Sequence, residues 1–141
     1  MKIYIDIDGV ILKKNLTIPE YGKEFIAYLI ANHDCYWLTT HCKGDTQNAI
    51  SHLSQFYPPS TVEQLKMIKQ TNWESLKTEA VDLNSDFIWL EDYPFESEKI
   101  VLKKANKINS LIIVDLKRKD ELKSIQQKIE IKTAKLNSYY K

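Results

Sequence analysis

Apolar runs of strand length alternate with segments of helical periodicity along this chain of 141 residues. The alternation is typical of a parallel β-sheet covered by helices, because each parallel strand needs a crossover connection. The predicted strands are residues 2–7, 35–39, 86–91 and 110–115. The predicted helices are residues 19–32, 44–55, 74–82, 95–107 and 118–137. Residues 56–73 are predicted to be less regular because Pro58 and Pro59 interrupt them, and a fifth, edge strand there is left open.

The composition fits one globular domain over residues 1–141. Hydrophobic residues make up 43% of the chain and charged residues 28%, which is enough apolar material for a core. The net charge is +1, so no overall field indicates nucleic acid or an anionic membrane as a partner. No apolar stretch approaches the length of a membrane span and no cationic leader precedes the first strand, so a cytoplasmic protein is expected.

The cysteines and histidines show no spacing typical of a disulfide framework or a zinc site. Cys35 is predicted in the core. Cys42 is predicted in a loop beside the functional site, either as an accessible thiol or as a loop filler. None of His33, His41 and His52 is assigned to a metal.

The first predicted strand runs into two carboxylates and a glycine, Asp6, Asp8 and Gly9. Strand residues two apart point the same way, so the carboxylates are predicted to share one side, about 6.6 Å apart along the chain. Such charges are costly at the end of a buried strand unless a cation, hydrogen bonds or a proton compensates them. The pair therefore predicts a metal site or a chemical task, and Gly9 predicts a sharp turn or a close approach to a ligand.

Three of the four predicted strands end in acidic residues, and the other ends in two hydroxyls. The residues are Asp6 and Asp8, Thr39 and Thr40, Glu91 and Asp92, and Asp115. Ligands of open parallel sheets bind beyond the carboxyl ends of the strands, near the point where the strand order reverses. These side chains are therefore expected to meet at one edge of the sheet. Asp115 is given little weight as a ligand.

In this order the motifs resemble the four motifs of the haloacid dehalogenase (HAD) superfamily of phosphotransferases, and the resemblance spans nearly the whole chain. It implies a three-layer, Rossmann-like α/β domain with a parallel sheet of four or five strands. Asp6 would be the nucleophile and Asp8 the general acid/base. Thr39 would be the hydroxyl that holds a phosphate oxygen, with Thr40 as the alternative by one register.

The resemblance also implies a Mg²⁺ cofactor, held by Asp6, Asp92 and the backbone carbonyl of Asp8. The sequence departs from the usual pair of aspartates at Glu91. This longer side chain is interpreted as a metal ligand, as an acceptor behind the ligands, or as neither. Carboxylate and carbonyl oxygens are the ligands that Mg²⁺ prefers.

The superfamily also has a lysine upstream of its acidic motif. Lys77, at the start of predicted helix 74–82, is preferred for this role over Lys66 and Lys69. Its ammonium would add a second positive charge beside the substrate, and Thr39 or Thr40 would bind the phosphate with it.

Further candidates lie near these motifs. Trp73 is expected either in the core or at the mouth of a pocket, where it would stack on a base or a sugar. His41, Lys43 and Asp45 directly follow the hydroxyl motif, and are expected either to touch the substrate or to form a solvated loop.

Residues 11–19 and 56–73 are the two segments where a cap domain would be inserted, and neither is long enough for a sizeable one. Capless members of the superfamily often act on large substrates or gain a lid from another subunit. A phosphorylated protein, nucleic-acid end or bulky metabolite is therefore expected, and the oligomeric state is left open.

The leading prediction is a Mg²⁺-dependent phosphatase that acts through an aspartyl phosphate on Asp6. One alternative is a non-catalytic domain that senses a phosphorylated ligand or binds a protein. Another is a receiver-like domain that only stores the phosphoryl group.

Overall fold

The computed structural model describes residues 1–139 and shows an α/β fold. Within these residues four strands form one parallel sheet in the order β2-β1-β3-β4. The strands are β1 (Lys2–Ile5), β2 (Asp34–Trp37), β3 (Phe87–Glu91) and β4 (Leu111–Ile113). The helices are α1 (Gly22–Asn32), α2 (Gln47–Leu53), α3 (Pro59–Leu65), α4 (Glu96–Lys104) and α5 (Glu121–Tyr139). The predicted fold class is confirmed, as is the lack of a cap in the described part of the chain.

Each face of the sheet carries its own apolar layer, because side chains alternate along each strand. Ile3 and Ile5 of β1 pack into one layer with residues of α1, α2, α3 and α5. Tyr4 packs into the other layer with residues of α4 and of two short 3₁₀ helices, Lys77–Ala80 and Ile108–Ser110. The result is three layers with a core on both sides of the sheet.

The predicted helix 74–82 is wrong, since this segment forms only the 3₁₀ turn Lys77–Ala80. The Glu79 carboxylate accepts the backbone N–H groups of Glu74, Ser75 and Leu76 at 3.1, 3.1 and 2.7 Å. These amides are fixed by a side chain in a tight loop. The backbone is extended again at Val81, which ends the turn.

Residues 56–73 are more regular than predicted, because they contain helix α3. Pro59 occupies its first turn, where a missing N–H costs nothing and the fixed φ suits a helix. No fifth strand forms in residues 1–139. The edge of β2 instead makes one bridge to Lys69, whose N–H donates to the Cys35 carbonyl at 2.9 Å and whose carbonyl accepts from Trp37 at 2.8 Å.

Three helices begin later than predicted because the residues before them adopt left-handed backbone conformations. Tyr21 (φ 65°) precedes α1, and Asp120 (φ 56°) precedes α5. Gly44 (φ 83°) precedes α2, whose first N–H, on Gln47, is capped by Asp45 at 2.8 Å. A helix cannot run through such a residue.

Cys42 and Trp73 are both buried. Cys35 lies in the core as predicted, but Cys42 is fully buried, so the accessible-thiol interpretation is wrong. Trp73 packs in the second apolar layer, with Lys43 Nζ 4.1 Å from the centre of its ring. This supports the core interpretation over stacking at a pocket mouth.

The helices were also compared with the requirements of a membrane span. None of those in residues 1–139 combines the necessary length with sufficient apolar character.

The connection from β1 to α1 is fixed tightly over the carboxyl edge of the sheet. The Ile7 carbonyl accepts the N–H groups of Val10, Ile11 and Leu12 at 3.1, 3.0 and 3.1 Å. The buried Tyr57 hydroxyl then donates to the Ile11 carbonyl at 2.5 Å. Tyr57 therefore ties the segment between α2 and α3 to the loop that carries the predicted nucleophile motif.

We expect Tyr57→Phe to lower the free energy of unfolding by about 1–3 kcal/mol, because the buried Ile11 carbonyl loses its partner. Urea denaturation followed by circular dichroism measures the change. Tyr93→Phe is the matched control, since the Tyr93 side chain is exposed, and should change stability by less than about 0.5 kcal/mol. Equal losses in both variants would contradict this role of Tyr57.

Candidate active site

The predicted motifs meet where the strand order of the sheet reverses. Strand β1 has β2 on one side and β3 on the other, so the chain first moves from β1 to β2 and then crosses back over β1 to β3. Asp6 directly follows β1, and its N–H extends the β1–β3 pairing by donating to Leu90 at 3.2 Å. Glu91 ends β3 and Asp92 follows it. The sheet therefore delivers three carboxylates to the position where open α/β folds bind ligands.

Lys77 lies between two of these carboxylates. Its Nζ is 2.5 Å from Glu91 Oε1 and 3.3 Å from Asp6 Oδ2. All three side chains are largely buried, with 13% of Lys77, 3% of Glu91 and 9% of Asp6 exposed. The backbone N–H of Lys77 donates to the buried Glu98 of α4 at 2.8 Å, which fixes the start of the 3₁₀ turn. The structure thus brings the predicted lysine to the predicted nucleophile.

The two alternative lysines have other partners. Lys66 pairs with Glu63 at 2.7 Å on the exposed side of α3. Lys69 pairs with Asp34, at the start of β2 and hence at the opposite edge of the sheet. Among the three lysines considered from the sequence, Lys77 is the one that contacts Asp6.

Burial and ion pairing shift the pKa values of Lys77 and Glu91. Burial acts to lower the pKa of Lys77, but Asp6 and Glu91 outweigh it, so this pKa is raised above its ordinary value. Burial and the neighbouring Asp6 raise the pKa of Glu91 to about 9, against the opposing effect of Lys77. The Lys77 ammonium is therefore held in its charged form by the two carboxyl groups that it contacts.

The acidic residues fit the coordination chemistry of Mg²⁺. Asp6, Glu91 and Asp92 each offer a carboxylate oxygen, and these oxygens all lie within 4.8 Å of one another. Opposite ligands of an octahedral Mg²⁺ are about 4.2 Å apart, and all its ligands are oxygens. The all-oxygen donor set is therefore of the type that the ion prefers.

Glu91 has other partners within this group. Lys77 occupies its Oε1, and the Asp92 N–H donates to its Oε2 at 3.0 Å. This arrangement favours the interpretation of Glu91 as an acceptor behind the ligands. Its role as a ligand stays a prediction, as do those of Asp6 and Asp92.

Gly9 makes room for Asp92. Its φ is +80°, and a Cβ built on it would lie 2.5 Å from Asp92 Cγ. No side chain fits in that space, and the backbone conformation is one that glycine adopts without strain. The sequence predicted a sharp turn or a close approach to a ligand at Gly9, and the close contact that the structure shows is with the side chain of Asp92.

Asp8 belongs to a separate group with His41. Its Oδ2 is 2.9 Å from His41 Nε2, and half of its side chain is exposed. The His41 ring stacks on His52, with centroids 4.4 Å apart and an angle of 10° between the planes. The sequence suggested only a substrate contact or a solvated loop for His41. Its position two residues after Thr39, at the carboxyl edge, was the signal for a contact with Asp8.

The two threonines that follow β2 differ in their surroundings. Thr39 is fully buried, and its hydroxyl accepts the His41 N–H at 3.3 Å. Thr40 is exposed. Thr39 therefore helps to shape the turn that carries His41, while the phosphate-binding roles of both residues stay predictions.

Asp115 belongs neither to the group of Asp6, Glu91 and Asp92 nor to the pair formed by Asp8 and His41. Its carboxylate accepts the Lys117 N–H at 3.1 Å and lies 3.7 Å from Arg118 Nε. It organises the turn after β4, in keeping with the small weight it received as a ligand.

The sequence and the structure were compared with known proteins. No protein-family model, curated protein or solved structure matches this chain. The resemblance to the HAD superfamily therefore rests on the motifs and their arrangement.

We expect Lys77→Met to lower the free energy of unfolding by about 3 kcal/mol at neutral pH, because it leaves a buried carboxylate charge without a counterion. Urea denaturation measures the effect. Lys66→Met is the control, because it removes an exposed pair worth about 0.5 kcal/mol or less. A loss no larger than that of the control would show that Lys77 does not compensate the buried charge.

We expect Mg²⁺ to raise the thermal unfolding midpoint by about 2–4 °C for each kcal/mol of binding free energy, because the ligands come together only in the folded state. Differential scanning fluorimetry over a MgCl₂ series measures this, against NaCl of equal ionic strength. Asp92→Asn should remove most of the shift. Asp86→Asn should keep it, because Asp86 is an exposed residue directly before β3, at the opposite edge. A shift that survives Asp92→Asn would contradict this site.

Proposed function

We propose that this protein is a Mg²⁺-dependent phosphatase of the HAD type, which hydrolyses phosphate monoesters through an aspartyl phosphate on Asp6. The observation that carries the proposal is the position of Lys77. Its ammonium lies 3.3 Å from Asp6 Oδ2 at the switch point of the sheet, beside the carboxylates of Glu91 and Asp92. A nucleophilic carboxylate with a fixed cation beside it is what attack on a phosphate requires.

Asp6 is oriented for attack by its own loop. Its Oδ1 accepts the Ile7 N–H at 2.8 Å, which fixes the plane of the carboxylate. We assign the attack to Oδ2, the oxygen beside Lys77. A carboxylate needs no base to act as a nucleophile, so the remaining difficulty is its repulsion from the phosphate dianion.

Positive charge has to offset this repulsion. When bound by Asp6 and Asp92, Mg²⁺ would supply most of it. Lys77 adds a charge that Glu91 holds in place, so little reorganisation is needed during the reaction. Thr39, at the end of β2, is the candidate for holding a further phosphate oxygen.

The first step forms a bond between Asp6 Oδ2 and phosphorus and breaks the bond from phosphorus to the ester oxygen. Asp8 gives its proton to the leaving oxygen. In the second step Asp8 takes a proton from water and the water oxygen bonds to phosphorus. The bond from phosphorus to Asp6 Oδ2 breaks, which restores the Asp6 carboxylate and releases inorganic phosphate. Proton transfers of this kind typically contribute about 10²–10⁴ in rate.

His41 acts on Asp8 rather than on the phosphate in this proposal. Its Nε2 contacts one carboxylate oxygen of Asp8 at 2.9 Å and leaves the other for proton transfer. The stack on His52 restrains the imidazole ring. His41 is therefore a positioning residue for the general acid/base.

The decisive experiment is turnover of a generic aryl phosphate with Mg²⁺. We expect Asp6→Asn to abolish turnover, because the amide is not a nucleophile, and Asp8→Asn to lower kcat by about 10²–10⁴. Circular dichroism checks that both variants fold, and Asp86→Asn is the matched control that should keep its activity.

Other outcomes would replace the proposal. Binding of phosphorylated ligands without turnover would indicate a sensing or protein-binding domain. A stable phosphoprotein after a single turnover would indicate a receiver-like domain. Full activity of Asp6→Asn would remove the assigned nucleophile.

A further inference from the structure

A cleft adjoins the proposed active site on the side of β3 and β4. Its volume is ≈ 720 Å³, which is within the range of about 300–1,000 Å³ typical of small-molecule sites. Gly9 and Asp92 line it, so it begins at the predicted metal ligand. From there it runs between the loop after β1 and the loop after β4.

The walls of this cleft are positively charged. Four cationic side chains line it, Lys13 and Lys14 from the first loop and Lys117 and Arg118 from the second. The acidic residues of the lining are Asp92, a predicted metal ligand that lies 3.6 Å from Lys14 Nζ, and Asp115, which lies 3.7 Å from Arg118 Nε, so Lys13 and Lys117 form the excess of positive charge. The net charge of the whole chain is only +1, so this local excess is a property of the cleft. It favours a ligand that carries negative charge beyond the scissile phosphate.

Hydrogen bonds order the backbones of both loops. The first loop closes on itself, since the Lys13 N–H donates to the Thr17 carbonyl at 2.9 Å. In the second loop Asp115 accepts the Lys117 N–H, and its own N–H donates to Glu121 at 2.7 Å. An ordered backbone means that the loops themselves need little further ordering when an anion binds between them.

The cleft also has an exposed apolar wall. Tyr93, which directly follows Asp92, is 77% exposed, and Ile113 at the end of β4 is 47% exposed. An exposed aromatic ring at the mouth of a cationic cleft is the chemistry that binds a nucleobase, because every base offers a flat face for stacking. The ring and the cations together indicate a ligand with both a base and a phosphate.

We propose that this cleft binds the leaving group of the substrate, and that this group is a nucleoside with a second phosphate. The preferred substrates are then nucleoside bisphosphates, with one phosphate at Asp6 and the other among Lys13, Lys117 and Arg118. The proposal rests on the phosphatase function proposed above and names its substrate class.

The test compares kcat/KM for adenosine 3′,5′-bisphosphate, adenosine 5′-monophosphate and fructose 1,6-bisphosphate. We expect the nucleoside bisphosphate to exceed the monophosphate by about 10–100-fold, the effect of a few charge-assisted contacts. The double variant Lys117→Ala/Arg118→Ala should reduce this ratio to near unity. Tyr93→Ala should lower the ratio of nucleoside to sugar bisphosphate by about 5–100-fold.

Lys103→Ala/Lys104→Ala is the charge-matched control. Both residues are exposed in the last turn of α4, which packs on the other side of the sheet. It should keep the wild-type preference for the bisphosphate. The proposal is overturned if the wild type shows no preference for the second phosphate, or if the cleft variant and the control change the ratio equally.

A binding measurement separates this proposal from the proposed function. Calorimetric titration of adenosine 3′,5′-bisphosphate with Mg²⁺ is made on the wild type and on Lys117→Ala/Arg118→Ala. If the wild type shows no turnover but binds the bisphosphate at least tenfold more tightly than the cleft variant does, the proposed reaction is rejected and the proposed cleft stands. If the wild type turns over aryl phosphates but both proteins bind the bisphosphate equally weakly, the proposed role of the cleft is rejected and the proposed reaction stands.

Discussion

The buried ammonium of Lys77 is the interaction on which the site depends. It compensates Asp6 and Glu91, which end two neighbouring strands in a region with little access to water. Without a counterion, two carboxylates so placed would oppose the pairing of β1 with β3. In the proposed reaction the same cation would lie beside the phosphoryl group, where negative charge accumulates. One ion pair thus explains how the fold accommodates its charges and why the location suits the proposed chemistry.

The rest of the fold holds this ion pair in place. Lys77 lies on a single 3₁₀ turn, a weak element by itself, and carboxylates from both sides hold that turn. Glu79 accepts the amides before it, and Glu98 of α4 accepts the amide of Lys77. Both acceptors are side chains, so the turn needs no further regular structure to stay ordered. The apolar layers on the two faces of the sheet hold the strand ends at the same edge.

The fold class and the proximity of the acidic motifs could be predicted from the sequence, because strand length, helical period and the residues at strand ends are local signals. Asp6, Glu91 and Asp92 came together for that reason. Two elements were missed because their signals depend on tertiary contacts. Helix α3 starts at Pro59, which the sequence analysis interpreted as a residue that interrupts regular structure. Residues 74–82 do not form the predicted helix, and the Glu79 carboxylate accepts backbone N–H groups there. The cationic cleft joins segments far apart in the chain, which no local pattern reveals, whereas the position of His41 just after the second strand placed it at the edge where it meets Asp8.

The absence of a side chain at Gly9 leaves the space that the Asp92 side chain occupies. Asp92 occupies the volume that any larger residue would need there, so the backbone after β1 and the carboxylate after β3 constrain each other's sequence. The loops across the cleft carry no such restriction on their exposed ends. A larger residue at position 9 would therefore have to be accompanied by a shift of the Asp92 carboxylate, whereas the exposed side chains of Lys14 and Tyr93 can be replaced without crowding the backbone.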